Sequence, residues 1–551
     1  MNNDLLLNSG QVLRQNWELI FGILVCIVWG TLLIFASLKK ITGTRFTDPE
    51  LTALALSGWP LPALLISLLL LLLRIFLPAH LVLILGITLM IVSAGLALCA
   101  VWGKVSASFV VPIFVFLSFV FIRLGFVAGA LLPAYFDSAE HYRIIQALLN
   151  ISNGTEFFWP ATSYYHLGYH IIVAAFTASA QADLARVMLL FGQIILAGLP
   201  LPMYFLVRRA TGSERAAIAG VALAAFGWFM PAHSVNWGKY PALLSLLAIQ
   251  FVLGVMLTKN RWMIAFSLVA AIFIHTRAAI LLIILLAAWS LSRTRRPLIL
   301  ALGLAGLGML TLLFARDPIL APLVEPYKVP VTLLIGLLAV LAYRAFPRLT
   351  VASVLVPTLM LAGVFIPITS AISLLDRPLV EMMLFLPLAF LGGLGAARLP
   401  KPAVILLIAA ILFNAWTAYS FAPSSCCQLA GRDDVIALNW VKQNTPTDAN
   451  FAIASANLSL TSSTSMLATG TDAGIWVTPL TGRLTLSLPY FVDFSQSDVH
   501  NYLCEKKVTD IYIGGTQQSF ESGRLLGRPD WYGVIFTLPK AQIVRVLGCL
   551  N

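Results

Sequence analysis

The chain has 551 residues, 60% of them hydrophobic and only 11% charged, with a mean hydropathy of +0.91. A soluble domain carries about 25% charged residues, so a water-soluble globular protein is excluded and a polytopic α-helical membrane protein is expected. The formal net charge of +12 does not point to a nucleic-acid partner, because the Lys and Arg residues lie in short turns between apolar runs and not on one face of a soluble domain.

The N-terminal segment MNNDLLLNSGQVLRQNW is polar, and the run after it is long enough, at about 20 residues, to span a bilayer. Apolar runs predict about fourteen spans, near 18–38, 60–77, 79–101, 107–131, 184–207, 214–231, 240–258, 261–275, 278–292, 297–315, 330–346, 349–369, 379–397 and 402–421. The turns between them alternate in charge. One side receives Lys39, Lys40 and Arg45, then Lys104, then Arg208, Arg209 and Arg215, and later Lys259, Arg293, Arg344, Arg348, Arg398 and Lys401. By the positive-inside rule that side is cytoplasmic. The other side holds the N-terminus, 131–170, 232–240, 275–277, 316–328, 369–378 and everything after 421. The apolar segment 167–180 would invert every later turn if it crossed, so it is expected to be a re-entrant or interfacial helix.

Composition shifts sharply after residue 422. The segment 423–551 has polar helix patterns at 433–443 and 497–507 and β-type runs at 451–455, 510–514, 534–538 and 543–547. The last two read as a hairpin across Pro539-Lys540. A small extracytoplasmic α/β domain is expected. It contains Cys426, Cys427, Cys504 and Cys549, for which three pairings remain open. Disulfides fit an oxidising compartment.

Groups able to do chemistry gather on the side opposite the basic turns. The stretch LLPAYFDSAEHYRIIQALLNISNGTEFFWPATSYYHLGYH carries Asp137, Glu140, His141, Glu156, His166 and His170. Ionisable groups this close to a bilayer are costly unless they face water, a partner or a substrate. A helix starting near Asp137 places Glu140 and His141 on its face, which suits a general base with neighbours that tune it, although Asp-x-x-Glu also resembles a helix cap. Lys239, in Asn236-Trp237-Gly238-Lys239-Tyr240, departs from the positive-inside pattern and suits either an anionic ligand or a snorkelling role. Arg277 in His275-Thr276-Arg277 needs a carboxylate or phosphate partner, with Asp137 or Asp376 as structural alternatives. Arg377 follows Asp376 and has the same two readings. His166 and His170, spaced i, i+4, could join His141 on a divalent metal. Neither an HExxH motif nor a nearby Cys supports this, and no cofactor is assigned.

These residues resemble the pattern of the GT-C superfamily of integral-membrane glycosyltransferases: a first long outer loop with an Asp soon after a span, a juxtamembrane helix, many further spans and a C-terminal extracytoplasmic domain. ALNWVKQNTPTDANFAIAS and DAGIWVTPLTGR are similar to segments of bacterial and archaeal members, and YYHLGYH with NWGKYPALLSL resembles one group of them. The resemblance implies a core at 107–422 with its catalytic outer loop at 131–183, preceded by extra helices in 1–106. It implies a polyprenyl-phosphate sugar donor and a glycan or lipid acceptor. Asp137 would be the base and Glu140 the nearby second acid, with His141, His166, His170, Lys239, Arg277 and Arg377 at the substrate. Where that family often has two adjacent acids, this chain has Glu140 beside His141. The protein would sit in the plasma or inner membrane with its site facing out. A lipid-linked glycan flippase and a non-catalytic assembly protein are the competing expectations.

Overall fold

In the computed structural model, which describes all residues except 1–3, 75, 151–165, 229–237, 295, 317–320, 322–324, 328–329, 367–373, 376, 419–426, 460–465 and 550–551, the apolar runs are helices. The first half contains α1 (Leu5–Gln15), α2 (Trp17–Thr42), α3 (Asp48–Gly58), α4 (Pro60–Leu73), α5 (Ala79–Val101), α6 (Val110–Leu124), α7 (Phe136–Asn150), α8 (Gly168–Ala180), α9 (Leu184–Gly198), α10 (Pro202–Thr211) and α11 (Glu214–Phe226). There follow α12 (Tyr240–Met256), α13 (Arg261–Ile274), α14 (Arg277–Leu291), α15 (Arg296–Arg316), α16 (Pro330–Ala345), α17 (Pro347–Gly363), α18 (Arg377–Met383), α19 (Phe385–Ala396) and α20 (Lys401–Ala418).

Eight of the described helices are long and apolar enough to cross a membrane. Of the fourteen segments expected, the other six are not among these eight. The segments at 240–258, 261–275, 278–292, 330–346 and 349–369 do form apolar helices, but of 17 residues or fewer. At 1.5 Å per residue these fall short of a ~30 Å hydrocarbon core. The segment expected at 60–77 belongs to a longer helix that starts at Asp48, where the Thr47 N–H donates to Glu50 at 2.7 Å in a capping box.

The helices fall into a buried set and a peripheral set. Leu184–Thr211 is 94% buried along its most apolar stretch, whereas Arg296–Arg316 is 11% buried. The peripheral helices present Ile91, Leu96, Leu302 and Leu312 outward, apolar surface that suits lipid and not water.

Several basic turns meet at one end of the bundle. Lys39 pairs with Asp48 at 2.5 Å, Asp48 accepts from Ser106 N–H at 2.7 Å, and Arg208 and Arg209 both reach the fully buried Glu50. The Arg348 guanidinium lies 3.6 Å from the centre of the Trp289 ring. At the far end of the helix Leu184–Thr211, Arg186 donates to Asn16 Oδ1 at 2.7 Å and to Ala130 O, just before α7 begins.

The C-terminal region is a mixed sheet: β1 (Asn450–Ser459), β2 (Met466–Gly470), β3 (Leu484–Pro489), β4 (Asp510–Ile513), β5 (Tyr532–Leu538) and β6 (Ala541–Val546). β1 pairs in parallel with β3 and with β4, while β2, β6 and β5 pair antiparallel to their neighbours. The expected hairpin across Pro539-Lys540 is present as β5–β6; β2 and β3 were not anticipated. Helices α21 (Arg432–Asn444), α22 (Val477–Thr481), α23 (Ser497–Glu505) and α24 (Ser522–Leu526) complete the layer. One face of the sheet, through Phe451, Ile453, Tyr512 and Ile543, shares a continuous core with α21, Trp476, α7 and the helix bundle. The other face closes over its own core with Phe494, Leu503 and Phe520. Cys504 is bonded to Cys549 and Cys427 is also in a disulfide; Cys426 lies outside the described residues.

Candidate functional site

α7 starts at a strained point. Tyr135 has a φ of +67°, unusual for a residue with a Cβ, and its N–H donates to Cys427 O at 2.8 Å. The bend turns the chain so that Asp137 stands in the first turn of α7. Its carboxylate makes an ion pair with Lys239, and both side chains are mostly buried. Gly238 makes the pair possible: its φ is +62°, and a Cβ there would lie 2.8 Å from Ser138 N. Only glycine lets the Lys239 turn approach α7 this closely without strain.

The Tyr135 hydroxyl reports the surrounding field. Burial raises its pKa, the Asp137 charge raises it further, and Lys239 and Arg377 oppose the shift. Asp137, Lys239 and Arg377, from three separate sequence segments, therefore act on one phenol.

Beside this pair lie four of the chain's seven histidines. His141 Nδ1 is 3.1 Å from His170 Nε2, and His170 Nδ1 is 3.1 Å from His166 O. The His166 and His275 rings are 4.1 Å apart, and His166 Nδ1 meets Thr276 Oγ1 at 3.2 Å. Burial is the main reason that His141 and His275 are held well below the usual imidazole range. His166 is lowered to about 4 by burial and then by the Arg277 charge. The rings are therefore neutral near pH 7, and their hydrogen bonds have a direction. A carbonyl oxygen only accepts, so His170 Nδ1 carries the proton and donates to His166 O. His170 Nε2 then accepts from His141 Nδ1–H, and His141 Nε2 is the unprotonated nitrogen. His275 Nδ1 accepts the Arg277 N–H at 3.3 Å, which fixes its proton on Nε2.

The expected residues thus separate into three places. Asp137 and Lys239 are paired, with Arg377 in their field. His141, His166 and His170 join His275 and Arg277 in the ring cluster. Glu140 points elsewhere on α7 and holds Arg143 through two bonds of 2.9 and 2.7 Å, half-exposed. Glu156, Asn236, Trp237 and Asp376 lie outside the described residues. As for a metal, the group of ligating side chains close enough to share an ion is His500, Cys504 and Cys549 among the described residues, and two of those sulfurs are already joined to each other.

Sequence reasoning did not anticipate Tyr135, or the contact of α7 with the C-terminal domain. Tyr142 meets Trp476 edge-on at 5.6 Å and 82°, which seats DAGIWVTPLTGR on α7. An aromatic at the i+5 position from Asp137 carries no signal of its own; only the fold reveals its partner.

Neither a protein-family model nor a curated protein sequence matches the chain.

Proposed function

We propose that the protein is a membrane glycosyltransferase of the GT-C type, which moves a sugar from a polyprenyl-phosphate donor to an acceptor hydroxyl at the extracytoplasmic surface. The observation that carries this reading is the Asp137–Lys239 pair. It couples a carboxylate to a cation, both mostly buried. Attack at an anomeric carbon needs a base for the acceptor proton and positive charge for the departing phosphate, and the pair holds one of each in reserve.

In the resting state Lys239 neutralises Asp137. When the donor enters, its phosphate competes for the ammonium, and the freed carboxylate accepts the proton of the attacking hydroxyl. The acceptor oxygen bonds to C1 as the C1–O bond to phosphate breaks, and that electron pair leaves with the polyprenyl phosphate. Lys239, Arg277 and Arg377 meet the negative charge. Direct displacement inverts the anomeric centre. The peripheral apolar helices suit a prenyl chain, and the Cys504–Cys549 bond suits an oxidising outer face.

The test is transfer or donor hydrolysis with radiolabelled polyprenyl-phosphate sugars, using purified protein in lipid and Asp137→Asn as the control. Activity that disappears in the variant supports the reading. Folded protein without transfer or hydrolysis across the donor panel overturns it, as does a product of retained configuration for the displacement step.

A further inference from the structure

α4 and α5 form a hairpin that turns at Arg74. The Arg74 N–H closes on Leu70 O at 3.1 Å, the Leu77 N–H returns to Leu73 O at 2.8 Å, and Pro78 stands at the start of α5. The two helices come together at Gly86, where a Cβ would lie 3.1 Å from the Leu70 side chain. The end of α8 packs on α4, and Gln181 stops α8 with a left-handed φ of +49°. Between the hairpin tip and the end of α8 lies a cavity of about 320 Å³, at the lower limit for small-ligand pockets.

The cavity has two kinds of wall. Leu70, Leu83, Ala175 and Ala178 are apolar, and Arg74, His80 and Gln181 are not. No carboxylate answers Arg74. From residue 51 to residue 136 the sequence contains neither Asp nor Glu. Asp183, just beyond α8, caps α9 by accepting the Arg186 N–H at 2.8 Å. Among the described residues, no acid offsets the burial that disfavours the guanidinium's charge. An arginine beside a bilayer is costly in this condition. Reaching out to water is the ordinary relief, but Nη1 is covered by protein and makes no hydrogen bond among the described residues.

A ligand meets the part of Arg74 that lines the cavity, together with His80 and Gln181, both of which are exposed. The guanidinium supplies charge and a fork of donors that suits phosphate oxygens. An imidazole donates from at least one ring nitrogen in either protonation state, and the Gln181 amide adds further donors. The apolar walls offer nothing to a free phosphate, but they fit the first part of a hydrocarbon chain. α5 is a peripheral helix, 17% buried along its most apolar stretch, with Leu81 and Ile84 exposed beside the cavity. A lipid can therefore arrive sideways without leaving the bilayer.

We propose that this cavity between α4, α5 and α8 is a binding site for an anionic phospholipid, with the phosphate on Arg74 and His80 and the chains along the apolar walls. Basic pockets between membrane helices recognise headgroups in this way. The site is separate from the ring cluster: His170 lies in the first turn of α8 and Ser179 in its last, roughly 14 Å apart at 1.5 Å per residue. It does not rest on the Asp137–Lys239 pair's being catalytic.

The experiment is native mass spectrometry of the full chain in detergent. It is titrated with phosphatidylglycerol, with phosphatidylcholine of the same acyl chains, and with inorganic phosphate. Expected is one phosphatidylglycerol retained at concentrations where the other two are not. Arg74→Ala should weaken that binding by about ten-fold. Ala178→Phe fills the cavity but keeps Arg74 and His80, and should weaken it by a similar factor. Lys104→Ala, which removes an exposed cation at another turn, and Asp137→Asn should leave it unchanged. Thermal unfolding without added lipid controls for folding; should Arg74→Ala not fold, Ala178→Phe and His80→Ala carry the test. Equal retention of the two lipids, binding indifferent to the cavity substitutions in folded protein, or inorganic phosphate bound as well as the lipid would each overturn the proposal. Because the readout is bound lipid and not turnover, the failure of the glycosyltransferase reading leaves this one standing, and the reverse.

Discussion

Lys239 reaches across from the turn before α12 and makes an ion pair with Asp137 in the first turn of α7. The two side chains are about one hundred positions apart in sequence. Removing one partner of a mostly buried ion pair is destabilising. Lys239→Ala should therefore lower stability by about 2 kcal/mol and lower sugar transfer on the order of 100-fold. Lys239→Arg should keep the stability and lose part of the transfer, because a guanidinium does not exchange partners like a compact ammonium. Denaturation midpoints and initial rates in the same lipid preparation separate the two effects.

Glu140 and Asp137 should behave differently when neutralised. Glu140 holds Arg143 on the half-exposed side of α7, an i, i+3 pair of a kind worth only about 0.3–0.5 kcal/mol. Glu140→Gln should leave stability within that range and reduce transfer far less than Asp137→Asn. Equal losses in the two variants would make Glu140 a second working acid.

Gly238→Ala should be among the most damaging small substitutions. It adds one methyl group, yet it must take a positive φ and meet Ser138 at once. A cost of about 2–3 kcal/mol follows from the backbone strain and the overlap. Lys239 should be displaced with its turn, so transfer should fall as in Lys239→Ala, while Gly212→Ala, at a positive φ with open space around it, should cost less.

The contact between Tyr142 and Trp476 ties α7 to the C-terminal domain. Trp476→Ala removes a ring that is 1% exposed and should cost about 3–5 kcal/mol. Hydrogen exchange should rise in α7 and in α22 together. Faster exchange confined to 473–481 would show that the two elements are not coupled.

Asp472 gives the C-terminal domain a pH dependence of known sign. Burial is the main cause that raises its carboxyl from 3.8 to about 6, against the bonds from Ser519, Gly474 and Gly514. A raised folded-state pKa means that the folded chain binds the proton more tightly. The contribution of Asp472 to stability is then greatest below pH 4, declines as pH rises through the window from 3.8 to about 6, and levels off above it. The whole change is about 3 kcal/mol. Thermal unfolding from pH 4 to pH 7 should show this loss in the wild type and a flatter profile in Asp472→Asn.

Much of the helical layout was legible because hydrophobic runs need no long-range information: a run of apolar residues bounded by charge is a helix wherever it packs. Which runs are spans was less legible: α13 and α14, of 14 and 15 residues, are shorter than the about 20 residues of a usual span. The start of α3 is marked by the Thr47–Glu50 capping box, which the span expected at 60–77 left out. β3, with leucine alternating with Thr485 and Ser487 in LTLSLP, followed a helix closely enough to be missed, and β2 is recognisable only through its pairing with β1. At the candidate site, Asp137, Lys239, His166 and Arg277 were each visible as groups out of place near a bilayer. Their partners were not, because pairing depends on how helix ends are brought together. The pairing of Lys239 with Asp137 was not among the alternatives weighed for either residue.

The seam between Tyr142 and Trp476 also sets a timetable for synthesis. Trp476 leaves the ribosome more than three hundred residues after Tyr142. At about 5–20 residues per second, α7 waits roughly 20–70 s for the surface that covers it. During that interval the apolar side of α7 is a nascent-chain liability that membrane insertion of the intervening helices must shelter. A chain truncated between residues 240 and 475 would carry Asp137 and Lys239 but leave α7 half-dressed, so such a product should be cleared by quality control and not accumulate.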